Sequence, residues 1–557
     1  MDTIGADIVL QILQEEGVEA IFGYPGASSL PLHDRLKDSP IRHYLTRHEQ
    51  AAAHAADGYA RATGKVGVCL STSGPGATNL VTGIATAFMD SSPVVALTCQ
   101  VNTSLMGRDS FQETDIVGIT LPITKHSYQV NNVNNLASVL RRAFQLARSG
   151  RPGPLLVDMP RDILASRCEK ADPPEETPSS AAEKVPSNLD QLGKIARALN
   201  MSERPVIIMG GGVKLSNACD LMRALIEKGG IPFTTTMMGV GSIASGNGYD
   251  LGFIGTHGNE LANSTVHQSD FILAVGMRFS DRSTSLIDEF APLATIAQID
   301  IDPTSIGKNV KVALPYVGDI RETISALLNL VESRDRSAWL QRIQQEREAK
   351  DFCLPFKGCG KAGHLISMIQ EAMPKETIAV SDVGLNQIWT LRTWKARTPR
   401  GLITSGGMGT MGFSVPAAIG AKIGMPDKSV VAICGDGGFY MNIQELATLS
   451  YYKIPVKIVV LNNRHLGMIR QIQDLFYEGR FNTIELGNHV DLVAVAKGFG
   501  VPAERISVDE NPEAALAALA RAEGPHLLEV VVDENDYVFP IIPPGQANTA
   551  MIHGVGD

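Results

Sequence analysis

Asp436 stands in the glycine-framed turn Gly435-Asp436-Gly437-Gly438, at the end of the apolar run 429–434. Asn463 follows 27 residues later (463 − 436), at the end of a second run, 456–461. A strand that delivers a carboxylate, a helix, and a strand that delivers an amide suit Mg²⁺, a hard cation that takes oxygen ligands in an octahedron. Two protein side chains leave coordination positions for a diphosphate and water. The glycines let backbone N–H groups approach a phosphate near a helix N-terminus. A Gly-Asp-Gly turn alone is a weak signal. Joined to Asn462-Asn463 at this interval between strands, it points to a metal–diphosphate site.

Strand-like runs alternate with helical patterns along the chain, which reads as α/β with parallel sheets. At 557 residues the chain exceeds a single core. The expected architecture is three doubly wound, Rossmann-like domains, covering residues 1–168, 189–335 and 360–557. A polar stretch, 169–188, with Asp172-Pro173-Pro174-Glu175-Glu176, reads as a linker. A charged segment, 332–350, reads as helical and leads to the third domain. The outer regions echo one another. The run 66–70 ends in the Ser73–Gly76 turn, and the run 430–434 ends in the Asp436 turn. From first glycine to the next strand's proline the intervals are 93 − 74 = 19 and 455 − 435 = 20. Related units of this kind place their ligand beyond the carboxyl ends of strands. In the central region, runs 204–212, 271–275 and 295–299 end in glycine or charge, as a nucleotide-binding sheet does. Their spacing is not a full fingerprint, and the residues alone leave a nucleotide site and a spacer domain equally open.

Hydrophobic content of 44% and charged content of 19% describe a soluble globular protein. The net charge of −10, without long runs of either sign, argues against nucleic acid as a partner. Apolar stretches are interrupted before a membrane-spanning length, and no targeting segment precedes the first amphipathic helix. Seven cysteines without a CxxC pair suggest reduced thiols and a cytoplasmic enzyme. Cys69, Cys99 and Cys434 lie in apolar runs and read as core.

Further segments narrow the chemistry. They are Arg47-His48-Glu49-Gln50-Ala51-Ala52, Ser73-Gly74-Pro75-Gly76-Ala77-Thr78-Asn79, Phe111-Gln112-Glu113-Thr114-Asp115, Gly150-Arg151-Pro152-Gly153-Pro154, Gly409-Thr410-Met411-Gly412-Phe413 and Leu466-Gly467-Met468. With the Asp436 and Asn463 segments, and over almost the whole chain, they resemble the catalytic large subunits of acetolactate synthase, thiamine diphosphate enzymes. The resemblance implies pyrimidine-binding, FAD-type central and diphosphate-binding domains, in that order. It also implies a homodimer or homotetramer with active sites between subunits, and a possible regulatory small subunit. The implied cofactors are thiamine diphosphate, Mg²⁺ and FAD.

Residue roles follow by the same resemblance. Glu49 is the carboxylate that activates the aminopyrimidine, a task for a partly desolvated, hydrogen-bonded acid. Its bland alternative is an exposed glutamate at a helix start. Asp436 and Asn463 ligate Mg²⁺ through side chains and His465 through its backbone carbonyl, oxygen being the preferred donor. Gly435, Gly437, Gly438, Gly467 and Met468 belong to the same cofactor end. Gly409 and Met411 contact the pyrimidine, although Met411 could be ordinary core. Gln112 steers a bound intermediate, or is a solvated loop amide. The stretch 276–282 resembles a flavin-contacting segment, which Arg151, Gly211, Gly212, His257, Asp300 and Asp319 accompany. Arg278 serves either the flavin or, as a bidentate clamp, the carboxylate of the second substrate. Phe111 and Ile472 supply apolar walls, and for His257 a structural role is as open as a catalytic one.

The reaction implied decarboxylates pyruvate and adds the two-carbon unit to a second 2-keto acid, giving 2-acetolactate and serving branched-chain amino acid biosynthesis. The departures fall on the acceptor side and near the diphosphate. Ile472 stands where family members that favour 2-ketobutyrate usually have tryptophan, and Thr256 where they often have methionine. Losing an indole wall weakens selection for one methylene, so pyruvate, or another carbonyl compound, is the expected acceptor. Leu385 and Asn386 replace the usual glutamine and histidine near the diphosphate. Glyoxylate carboligase is the nearest rival, but its pattern has valine where this chain has Glu49. A flavin-dependent pyruvate oxidase and an inactive cofactor-binding homologue complete the alternatives.

Overall fold

The computed structural model describes residues 3–168, 188–244, 248–349 and 359–556. Three six-stranded sheets organise them, and all strand pairings are parallel. The first sheet spans Ala20–Tyr24 to Leu155–Pro160, the second Pro205–Met209 to Leu314–Val317, and the third Ile378–Ser381 to His526–Val531. With strands counted from the start of each sheet, the first and third share the order 2-1-3-4-6-5. The echo between the outer regions is therefore a repeat of winding. The central sheet runs 6-5-4-1-2-3, which is the 3-2-1-4-5-6 order of dinucleotide-binding folds read from the other edge.

Parallel strands covered on both faces must be apolar throughout. Val94–Gln100 and Val456–Asn462 are buried at every position. Crossovers between parallel strands need a helix, and this corrects one expectation. The tetrapeptide around Asp436 is not a free turn: Gly435 ends its strand and caps the helix Asp436–Met441.

The outer domains share one apolar core, in which Phe22, Tyr59 and Ile84 join Val380, Phe413 and Val460. Helix Glu49–Thr63 crosses helix Ser414–Gly424 at backbone contact. A Cβ at Gly58 would lie 2.0 Å from Ala417 O, and one at Gly420 only 1.8 Å from Ala55 O. Glycine is the residue that permits such an approach.

The charged segment 332–350 contains the helix Ser337–Ala349. Trp339 and Ile343 pack it onto the central sheet, with Trp339 Nε1 donating to Pro205 O at 3.3 Å. The expected linker lies outside the described residues except for Asn188. That residue caps the helix Leu189–Met201, accepting from Gln191 N at 3.0 Å. Beyond the third sheet the chain returns to the central domain, where Ile542 N donates to Thr256 O at 2.9 Å and Leu286 N to Gln546 O at 3.1 Å. Cys69, Cys99 and Cys434 are fully buried. No described helix is long and apolar enough to cross a membrane.

Candidate functional site

The carboxyl ends of the third sheet carry the metal–diphosphate candidates. Strand Val430–Gly435 pairs with Val456–Asn462, with Gly435 opposite Leu461, so Asp436 and Asn463 emerge from neighbouring strands. Asp436 is 2% exposed, and its Oδ2 is buried without a hydrogen-bond partner. Burial pushes its carboxyl up to about 7, against the backbone N–H groups of Gly437 and Arg464 that favour the carboxylate. A buried, unpartnered carboxylate oxygen is the donor a hard cation satisfies. Asn463 Oδ1 accepts from His465 N at 3.1 Å. The His465 ring turns to Asn463 O at 2.8 Å and Glu534 at 3.8 Å. No group of three His, Cys, Asp or Glu side chains among the described residues could hold a metal.

Backbone compactness surrounds this end. A Cβ at Gly437 would meet Met411 Cε at 3.2 Å and Leu466 Cδ2 at 2.9 Å, which brings Met411 to Asp436's helix. Gly467 starts the helix Gly467–Phe476 against Leu385 and Asn463, and Met468 packs on the third domain's core. Gly409 has φ +67, in the left-handed region that favours glycine. Asp382 organises this loop and escaped sequence reading. Fully buried, it accepts from Val383 N at 2.9 Å, Gly412 N at 3.0 Å and Ser414 N at 2.9 Å. Its signal was available, a carboxylate at the end of the strand Ile378–Ser381. The two departures near the diphosphate are also placed: Leu385 packs in the core, and Asn386 Nδ2 donates to Ile433 O at 3.3 Å.

In the first domain, Glu49 opens the helix Glu49–Thr63 and is 9% exposed, unlike the solvated glutamate that a helix start allows. Asn79 Nδ2 donates to its Oε2 at 2.9 Å, and Oε1 lies 3.3 Å from where a Gly76 Cβ would be. Gln112, half-buried with φ +61, sits against Gly74. Glu49 and Gln112 therefore flank the same 73–79 segment. Phe111 beside them is 87% exposed. A buried ion network ties this domain to the loop that leads to Gly409. Arg61 bonds Asp57 and Asp90 and donates to Thr404 O at 2.7 Å, while Asp90 accepts from Gly406 N and Gly407 N at 3.1 and 2.6 Å.

A cavity of about 860 Å³ opens on the central domain, and Arg151, Gly211, Gly212, His257, Arg278, Asp300 and Asp319 all line it. Its size falls within the range of small-molecule and cofactor sites. A Cβ at Gly212 would lie 2.8 Å from Gly276 Cα, so the two glycines clear a cradle at the strand ends. Arg151 Nη1 bridges to Asp302 at 3.4 Å, and Asp319 caps the helix Ile320–Leu330 by accepting from Glu322 N at 3.0 Å. Burial raises the Asp300 carboxyl and lowers the Arg278 guanidinium. Burial also drives the His257 imidazole down to about 3, assisted by Arg392 and Arg282, which leaves a neutral ring whose Nε2 has no partner. Cations, carboxylates and a glycine cradle in one cleft fit a flavin dinucleotide. Phe111 and Ile472 do not line this cavity with Arg278. Ile472 is half-buried on the helix Gly467–Phe476.

Residues 3–119 match the N-terminal TPP binding domain of thiamine pyrophosphate enzymes, 192–327 their central domain, and 382–530 their C-terminal TPP binding domain. The chain is 45% identical to a probable acetolactate synthase large subunit of Methanocaldococcus jannaschii, covering 99% of this chain and 95% of the relative. It is 39% identical to the acetolactate synthase isozyme 2 large subunit of Escherichia coli, over 98% and 99% of the two chains. With the acetolactate synthase large subunit of Lactococcus lactis the identity is 40%, over 99% and 96%. Three matched domains and similarity over nearly the full length place this chain in the family of acetolactate synthase large subunits, among the thiamine diphosphate enzymes.

Proposed function

We propose that this protein decarboxylates pyruvate and joins the two-carbon unit to a second 2-keto acid, forming 2-acetolactate when both are pyruvate, as an enzyme with thiamine diphosphate, Mg²⁺ and FAD. The observation that carries this reading is a pair of buried carboxylates in different domains, each in the environment its role needs. Asp436 has an unpartnered buried oxygen at a strand end, and Glu49 is held by Asn79 at a helix start. Bound thiamine diphosphate supplies the carbanion chemistry. Glu49 holds the proton at the aminopyrimidine. Asp436, Asn463 and the carbonyl of His465 hold Mg²⁺, the engaged His465 ring favouring its carbonyl. Gly409 and Met411 would shape the pyrimidine end, Gln112 would offer a neutral donor to the substrate, and Gly435, Gly437, Gly438, Gly467 and Met468 would line the diphosphate end.

Arg151, Gly211, Gly212, His257, Asp300 and Asp319 hold FAD, and Arg278 borders both flavin and acceptor. The separation of Phe111 and Ile472 from Arg278, with Phe111 exposed, supports an active site completed by a second copy in a homodimer or homotetramer. A regulatory small subunit and a cytoplasmic setting accompany this reading. Glu49 sets it apart from glyoxylate carboligation. Product analysis tests it: pyruvate with the three cofactors should give acetolactate, and equimolar 2-ketobutyrate should not displace pyruvate as acceptor. Acetate or acetaldehyde in place of acetolactate would refute the carboligase.

A further inference from the structure

Arg392 lies near the end of the helix Leu385–Thr393 in the third domain. Its buried guanidinium contacts the Cys359 thiol and gathers main-chain carbonyls from two distant segments. Nε and Nη2 donate to His257 O at 3.1 and 2.7 Å, and Nη2 also reaches Gly258 O at 3.4 Å. From the chain's last segment come Pro540 O, at 2.9 Å from Nη2, and Phe539 O, bonded to Nη1. Among the described residues none of these hydrogen-bond partners is a carboxylate. A cation that uses a fixed planar fork of donors on carbonyl oxygens is selected for geometry more than for charge.

What it grips is a wall of the central cavity. Thr256 and His257 line that cavity, while Arg392 does not. The same wall is tied on its other side, where Thr256 N donates to Arg282 O at 3.0 Å and Ile542 N donates to Thr256 O. At the opposite end of Arg392's helix, Asn386 holds Ile433 O, two residues before Gly435. One short helix thus runs from the diphosphate end of the third domain to the wall of the central cavity.

We propose that Arg392 is a positioning residue for the cavity: by joining 256–258 to 539–540 it fixes the Thr256–His257 wall and so sets flavin affinity. The link to flavin rests on the FAD reading above, whereas the clamping does not. Lysine is a point donor on a flexible stem and cannot span both segments in one plane. Arg392→Lys should therefore fall between wild type and Arg392→Gln.

The test uses the full-length protein and the two variants. Without added flavin, hydrogen exchange should quicken in peptides covering 254–259 and 537–544 of Arg392→Gln, and less in Arg392→Lys. The strand peptides 430–435 and 456–462 should stay protected, which also verifies folding. FAD affinity, read by flavin fluorescence, should fall roughly tenfold or more, the scale of losing one charge-assisted hydrogen bond. The KM for thiamine diphosphate should not move with it. Wild-type exchange in those peptides overturns the positioning role, and quickened exchange with unchanged FAD affinity overturns its link to the cavity. If wild type itself binds no FAD, the flavin reading fails, and the exchange result still decides whether Arg392 holds the wall.

Discussion

Glu445→Gln isolates a buried carboxyl that links the third domain to the start of Glu49's helix. Glu445 is fully buried at the first position of the helix Glu445–Tyr452. Its Oε1 accepts from Arg47 N at 2.8 Å, two residues before Glu49, and its Oε2 accepts from the Thr448 hydroxyl at 2.7 Å. Burial pushes the carboxyl from its ordinary 4.5 up to about 7, outweighing the Thr448 hydroxyl, the Arg47 N–H and the Arg47 charge, which lower it. The folded pKa therefore lies above the unfolded one. Its contribution to stability is complete below the unfolded value and is lost as pH rises through about 7. A displacement of roughly 2.5 units at 1.36 kcal/mol each amounts to ~3 kcal/mol. Glutamine does not ionise and escapes that loss. The stability of Glu445→Gln relative to wild type should therefore rise by ~3 kcal/mol between about pH 4.5 and 8, read from urea unfolding of both proteins at each pH. Any constant offset from the amide's own contacts cancels in that difference. A gap independent of pH would refute the buried, raised carboxyl. So would a gap that moves the other way.

Glu49→Gln should keep thiamine diphosphate bound but slow exchange of its C2 proton by about 10²–10⁴-fold, the range of general acid–base catalysis, as NMR exchange would show. Wild-type exchange would remove Glu49 from its role. Gly58→Ala places a Cβ 2.0 Å from Ala417 O. It should cost ~1–3 kcal/mol or more by overpacking and lower the thermal midpoint, and an unchanged midpoint would contradict the backbone contact. Ile472→Trp should shift acceptor choice towards 2-ketobutyrate by roughly tenfold or more, the value of one methylene in a closer pocket, measured as a product ratio in competition. An unchanged ratio would exclude Ile472 as a wall of the acceptor site.

The parts of this protein legible in its sequence are those written in local pattern. Continuous apolar runs identified the buried parallel strands, and near-equal intervals exposed the repeat that the matching strand orders express. Asp436 and Asn463 could be singled out because each directly follows its strand. Arg151, Gly211, His257 and Asp319 lie far apart in sequence yet line one cavity, and family resemblance gathered them where periodicity could not. Asp382 and Arg392 were missed because their work is done on backbone groups 30 and 135 residues away. Main-chain donors and acceptors look alike at every position, so nothing in the one-letter string marks which of them a buried side chain will hold. The glycine tetrapeptide misled in the opposite sense. Its composition suits a turn, but the parallel topology requires the chain to pass from strand into helix there.

Tight and more open positions divide between the residues proposed for the cofactor and those proposed for the acceptor. Asp436, Asn463 and Glu49 are at least nine-tenths buried and lie beside Gly437, Gly467 and Gly76, where an added Cβ would meet atoms within 3.3 Å. Helices Glu49–Thr63 and Ser414–Gly424 lock the two outer domains through a common core. Movement of one carboxylate's scaffold is resisted by the packing of the other's, because a close-packed core transmits strain. Ile472, Phe111 and Thr256 are different: they are half-buried or exposed, and none belongs to the buried core clusters. On the proposed reading, substitutions there would change the shape offered to a second keto acid while leaving strand ends and glycine cradles in place. On that reading, acceptor preference is the property this scaffold can vary at least cost to folding, and Ile472 and Thr256, two of the chain's departures from its family's usual residues, lie there.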